Sequence, residues 1–169
     1  MKSKIIIFLV ILNLLLIVAL VFATNAYQTE VYTFSGINNY IEVVNGSIVR
    51  NEDFEQVRCG YFRYINEVPD DTYKYTTKLY FMDGDKQVVL YKTETTHNPI
   101  YSVRVTAEEV TEGLNTNCHY SSYGKVARKL KDISRIDLIS KLYLELVFTT
   151  TEEKEITQRL KMDVVPVEN

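Results

Sequence analysis

Strict two-residue alternation over 73–81 is the feature that most constrains this fold. Tyr73, Tyr75, Thr77, Leu79 and Phe81 fall on one side of an extended chain, and Lys74, Thr76 and Lys78 on the other. Successive side chains of a strand point to opposite faces, so the pattern predicts a sheet with one apolar and one polar face. Asp83-Gly84-Asp85 turns the chain and 88–93 returns. The pattern recurs at Leu142, Leu144, Leu146 and Phe148, and again at Ile156, Leu160, Met162 and Val164, with Thr157, Arg159, Lys161 and Asp163 outside and Pro166 as a stop. Residues 31–34 and the alternating Tyr101, Val103 and Val105 read as further strands. Asn45-Gly46, between strand signals at 40–44 and 48–50, predicts a type I′ hairpin, because both central residues of that turn need positive φ. Gly60 within 54–65 predicts a bulge or bend. Residues 66–71, with Pro69 and paired aspartates, predict a turn. Period-2 segments joined by tight turns predict an all-β fold, an antiparallel two-sheet sandwich of roughly seven to nine strands. The one helical stripe, Val126, Leu130 and Ile133, extending to Ile136, within 126–140, is expected to give a turn or two of helix.

The amino terminus obeys another rule. Lys2 and Lys4 precede an apolar run, Ile5 to Ala23, broken only by Asn13, and no charge follows until Glu30. Such a run reaches about 28 Å as a helix, close to bilayer hydrocarbon thickness. The expectation is a leader over 1–26 and an extracytoplasmic domain over 27–169. The charge asymmetry holds the amino terminus in the cytoplasm. Two fates stay open: a single-pass membrane anchor through residues 5–23, or a signal peptide cleaved after Ala23 or Ala26, giving a secreted protein. The length of the run, beyond the usual h-region, favours the anchor.

Without the two leader lysines, 17 Lys+Arg stand against 22 Asp+Glu. A mildly acidic domain argues against a nucleic-acid partner, which needs a clustered basic footprint. Cys59 and Cys118 are the only cysteines, and in an oxidising compartment they are expected to pair as a disulfide.

The leader, Thr33-Phe34-Ser35-Gly36, Asn45-Gly46-Ser47-Ile48 and the Leu142-Tyr143-Leu144-Glu145-Leu146 strand with its charged hairpin together resemble small exported proteins of low-GC Gram-positive bacteria. The resemblance implies an immunoglobulin-like sandwich and an envelope location. It supplies no catalytic residues, and the core tryptophan of antibody domains is absent.

No cofactor or metal motif stands out. His97, Cys118, His119 and Cys59 lack the close ligand pairs that zinc sites use, a thiol–imidazole nucleophile at Cys118 would be disabled by oxidation, and Asp83 and Asp85 lack the further oxygens calcium needs. Two segments suggest binding instead. Residues 111–125 read as a long polar loop displaying His119, Tyr120 and Tyr123, and such loops commonly bind partners. Lys125, Arg128, Lys129, Lys131 and Arg135 form a basic patch suited to anionic surfaces. The expected function is a non-catalytic, envelope-tethered binding or accessory domain whose partner is a surface polymer or a protein. The alternatives are a hydrolase with an unrecognised acid pair and a cleaved effector or inhibitor.

Overall fold

The computed structural model describes residues 2–26, 28–97, 104–123, 128–131 and 133–167. In chain order its elements are α1 (Lys2–Ala26), β1 (Glu30–Ile37), β2 (Ile41–Arg50), β3 (Phe54–Arg58), β4 (Tyr61–Tyr64), β5 (Thr72–Asp83), β6 (Lys86–Thr96), α2 (Ala107–Asn117), β7 (His119–Tyr123), α3 (Arg135–Ser140), β8 (Leu142–Thr150), β9 (Glu155–Lys161) and β10 (Asp163–Pro166). Among the described residues ten strands, against the seven to nine expected, make two antiparallel sheets. One runs β10-β1-β2-β3-β7 with β4 also paired to β2; the other runs β6-β5-β8-β9.

Period-2 patterning places the core between them. Tyr32, Phe34, Ile41, Val43, Ile48, Val57 and Phe62 of the first sheet meet Tyr75, Leu79, Phe81, Leu144, Leu146, Phe148 and Leu160 of the second, all buried. Burial of one such large apolar side chain contributes about 1.5–3 kcal/mol. After β9 the chain changes sheets at buried Met162, and Val164 continues the apolar row in β10. Tyr73 departs from the expected face. The register skips between Thr72 and Lys74, so Thr72 is buried while the Tyr73 hydroxyl donates outward to Glu153 at 3.0 Å.

Asn45-Gly46 is not a hairpin. It lies inside the continuous strand β2, where Phe34 faces Gly46 but Gly36 faces Val43. Asn45 has φ 59°, so the dipeptide forms a β-bulge; bulge and hairpin make the same demand for positive φ, which is why the sequence signal is shared. The irregularity passes to the next strand. β4 pairs with 41–44 of β2 and β3 with 47–50, and the break between them falls at Gly60, φ 74°.

Of the loop expected over 111–125, residues 111–123 are not open, and Gly124 and Lys125 lie outside the described residues. Residues 107–117 form α2, capped by Thr106, whose side chain accepts from the Glu109 amide, with Glu108 and Glu109 in the first turn, where the helix dipole favours acid. Val110 and Leu114, one turn apart, enter the core. Asn115 Oδ1 accepts from Phe62 N at 2.7 Å, its Nδ2 donates to Phe62 O at 2.9 Å, and Thr111 Oγ1 accepts from Tyr64 N at 3.0 Å. Side chains of α2 thereby satisfy the outer backbone edge of β4 and block further strand pairing there. β7 then pairs with β3. Among the described residues of 126–140 the helix is α3, whose N-cap Ser134 accepts from the Asp137 amide and whose Ile136 is exposed; Val126, Ala127 and Asp132 lie outside the described residues, as do Tyr101 and Val103. Val105 is buried but belongs to no strand.

The described side chains of α1, Ile6 and 9–21, are all exposed. The stretch 9–21 reaches about 20 Å, and among the described residues no helix is long and apolar enough to cross a membrane.

Candidate functional site

The register of the first sheet builds a row that no single segment contains. Val165 of β10 faces Thr33 of β1, Thr33 faces Ser47 of β2, Ser47 faces Arg58 of β3, and Arg58 faces His119 of β7. Directly opposed residues share a face. Here it is the outer one, since the intervening Tyr32, Phe34, Ile48 and Val57 are buried. Four interstrand steps carry this row about 19 Å across the sheet.

Two adjoining clefts follow the row and share Asn45 and Ser47. The larger, about 640 Å³, is lined by Asn45, Ser47, Gln56, Arg58, Gly60, Asn115, His119 and the disulfide. The smaller, about 300 Å³, continues past Thr33 and Ser35 to Asp163 and Val165. The bulge at Asn45 forms the common wall. Cys59 and Cys118 are bonded, with Cα atoms 5.5 Å apart, and the Cys59 amide donates to Cys118 O at 3.2 Å. The bond ties the β3–β4 corner to the α2–β7 junction and sets the floor of the larger cleft. Both half-cystines belong to the first sheet's side of the sandwich, unlike the inter-sheet bridge of antibody domains.

Among the residues expected to bind a partner, His119 is exposed and lines the larger cleft. Tyr123 is 70% exposed on the edge strand β7. It stands opposite Phe54 with ring centroids 5.0 Å apart, four residues and about 13 Å along the strand from His119. Tyr120 points the other way. Its hydroxyl donates to the Glu55 carboxylate, and burial first, then this bond to a carboxylate, raises its pKa above the ordinary phenol value.

Lys125 lies outside the described residues. Arg128 and Lys129 are engaged rather than displayed. Arg128 Nη1 donates to Asn51 O at 2.8 Å, and Lys129 Nζ to Val89 O at 2.6 Å. Arg50 secures the same segment from below, donating to Leu130 O at 2.8 Å and Ile133 O at 2.7 Å while pairing with Glu30 at 2.6 Å. These cations pin the crossover between the sheets.

A second polar cluster sits on the outer face of the other sheet. Glu145 accepts from Lys78 at 2.6 Å, Arg159 at 2.8 Å and the Tyr80 hydroxyl at 3.2 Å. Tyr80 is buried beneath these side chains and stacks on Tyr143 at 5.7 Å. Burial first, then the Glu145 charge, pushes the Tyr80 hydroxyl up to about 12. The cluster is internally matched and offers no open group to a ligand.

His97 is held by Glu109 at 2.6 Å on the first turn of α2, nine residues and about 13 Å along the helix from Cys118. Among the described residues no group of three or more His, Cys, Asp or Glu is placed to hold a metal ion. The chain matches no protein-family model, and no curated protein or solved structure matches it significantly.

Proposed function

We propose that the chain is an envelope-tethered binding domain, anchored through residues 5–23, that presents the outer face of its first sheet to an extended surface polymer. One observation carries this reading: the register-aligned row Val165, Thr33, Ser47, Arg58 and His119, along which two adjoining clefts run. A shallow polar groove of about 19 Å suits several units of a linear chain better than one compact small molecule, which binding sites usually enclose. Tyr123 on Phe54 adds an apolar contact on the same face. Tethering is supported by the uncharged run from Ile5 to Ala23. Asn13, its one polar residue, donates to Leu9 O at 2.9 Å and so is satisfied within the helix, as a bilayer requires. The kinship with small exported immunoglobulin-like proteins is part of this proposal; two packed antiparallel sheets and an oxidised cysteine pair support it.

The test is co-sedimentation of the full chain with isolated envelope polymers. Ser47→Trp fills the wall between the two clefts. Polymer capture is expected to fall at least about tenfold while the unfolding midpoint stays within a few degrees. A folded Ser47→Trp protein that captures polymer as the parent does removes the reading, and capture of a protein instead of polymer replaces it with a protein-docking face.

A further inference from the structure

The larger cleft has a charge character opposite to that of the domain. Its lining holds Arg58 and His119 and no carboxylate, although acids outnumber Lys+Arg by 22 to 19 in the whole chain. Of the six other arginines, all but the exposed Arg135 at the start of α3 are matched. Arg50 pairs with Glu30, Arg63 with Glu42, Arg104 with Asp70 and Asp71, and Arg159 with Glu145, while Arg128 donates to the Asn51 carbonyl. Arg58, exposed in the cleft, makes no ion pair among the described residues. A guanidinium presents a planar fork of donors that fits the two oxygens of a carboxylate or phosphate.

The remaining lining groups suit the same ligand. Ser47 and Gln56 flank Arg58 on the same outer face, and Asn45 stands on the bulge; together with His119 they supply hydroxyl, amide and imidazole donors. Asn115 is spent on the Phe62 backbone and serves as a fixed wall. Apart from the His119 imidazole, the cleft lining contains no aromatic ring, so recognition there does not rest on stacking against a sugar face. The disulfide holds β3 against β7, which keeps Arg58 and His119 on neighbouring strands about 5 Å apart in register.

From this placement we infer that the Arg58–His119 cleft binds the anionic group, phosphate or carboxylate, of a repeating polymer, the smaller cleft holding uncharged portions of the same chain. The inference rests on the polymer-binding reading above and names the ligand chemistry of that groove.

Three probes test it on the full chain in detergent micelles: poly(glycerol phosphate), a polyuronate, and neutral dextran as control. Both anionic polymers, or one of them, are expected to bind at least tenfold more tightly than dextran, and the stronger of the two identifies the anion as phosphate or carboxylate. Arg58→Gln should weaken that binding at least tenfold, Arg58→Lys should restore part of it, and Arg135→Gln, which alters a cation outside the cleft, should leave it within twofold. Binding should also weaken as salt rises, less steeply in Arg58→Gln. If all three polymers bind alike, Arg58→Gln is silent and Ser47→Trp abolishes capture, the anion inference is wrong and the groove reading stands. If none binds, or if Ser47→Trp is silent as well, both are wrong.

Discussion

The Tyr120 hydroxyl donates to a Glu55 carboxylate that is only 1% exposed. The same carboxylate accepts from Lys129 N at 2.5 Å and Leu130 N at 3.0 Å. One acid from β3 thus organises the turn that carries the chain away from β7, and a tyrosine expected to face a partner is part of its support. Removing the carboxylate leaves the Leu130 amide without a partner and the Lys129 amide with only the Tyr120 hydroxyl at 3.3 Å, and it strands the Tyr120 hydroxyl's own proton; each buried group so deprived costs about 1–3 kcal/mol. Glu55→Ala is therefore expected to destabilise by about 3 kcal/mol or more, and Tyr120→Phe by about 1–2 kcal/mol. Tyr123→Ala, on the exposed edge, should stay within about 0.5 kcal/mol. Urea unfolding of the three variants checks this; equal losses at Tyr120 and Tyr123 would contradict the orientation of β7.

Two glycines with similar backbone angles should respond differently to alanine. Gly60 has φ 74° and Gly84 has φ 58°. A Cβ on Gly60 would lie 2.2 Å from Val44 O, whereas one on Gly84 meets nothing within 4 Å. Gly84→Ala carries only the cost of the left-handed conformation, about 1 kcal/mol. Gly60→Ala adds a backbone collision at the bulge and should cost more than about 2 kcal/mol. The difference in unfolding midpoint measures how rigidly the bulge is held.

How far these features were legible depends on the range over which each is encoded. Alternation is local, so β5, β8 and β9 could be read directly from Tyr75 to Phe81 and from Leu142 to Leu160. Asn45-Gly46 states only that positive φ is needed, and whether a bulge or a turn meets that need is decided by the partner strand β1. α2 escapes a sequence reading because, among its described side chains, only Val110 and Leu114 are buried in the core, with the small Ala107 packed against it, too weak a stripe to stand out. The available signal was Thr106 followed by Glu109, the spacing of a capping box. β7 is short and polar and becomes a strand only through β3. The candidate groove is the extreme case. Thr33, Ser47, Arg58, His119 and Val165 are ordinary residues in five separate segments, and register alone aligns them.

Cys59 and Cys118 are 59 residues apart in sequence and largely buried, at 6% and 8% exposure. Closing a loop of that size restricts the unfolded chain, which in the chain-entropy account stabilises by about 4 kcal/mol. Intact protein taken without reductant should weigh about 2 Da less than the reduced chain. Cys59→Ser/Cys118→Ser should unfold at markedly lower urea and also lose polymer capture, because the bridge holds β3 and α2 at the larger cleft. Unchanged capture in a folded double variant would show that the cleft keeps its shape without the bridge.

The Glu145 cluster makes a prediction about acid. Burial by itself raises the Glu145 carboxyl, but the hydrogen bonds and charges of Lys78 and Arg159 outweigh it and hold the group below its ordinary value of 4.5. A folded-state pKa below the unfolded one means that the unfolded chain binds more protons in this range, so stability rises with pH there. The contribution is present above about 4.5 and is lost as pH falls through the lower folded-state value. Glu145→Gln should therefore flatten the acid side of the stability profile. Lys78→Met/Arg159→Met goes further, since burial is then opposed only by the hydrogen bond from the Tyr80 hydroxyl at 3.2 Å, and the pKa is expected to move above the unfolded value. The sign reverses: in that variant the Glu145 contribution falls as pH rises through the raised pKa. Urea midpoints between about pH 3 and 7 for the parent and both variants would show opposite slopes for the parent and the double variant. Parallel slopes would mean that the two cations do not govern this carboxylate.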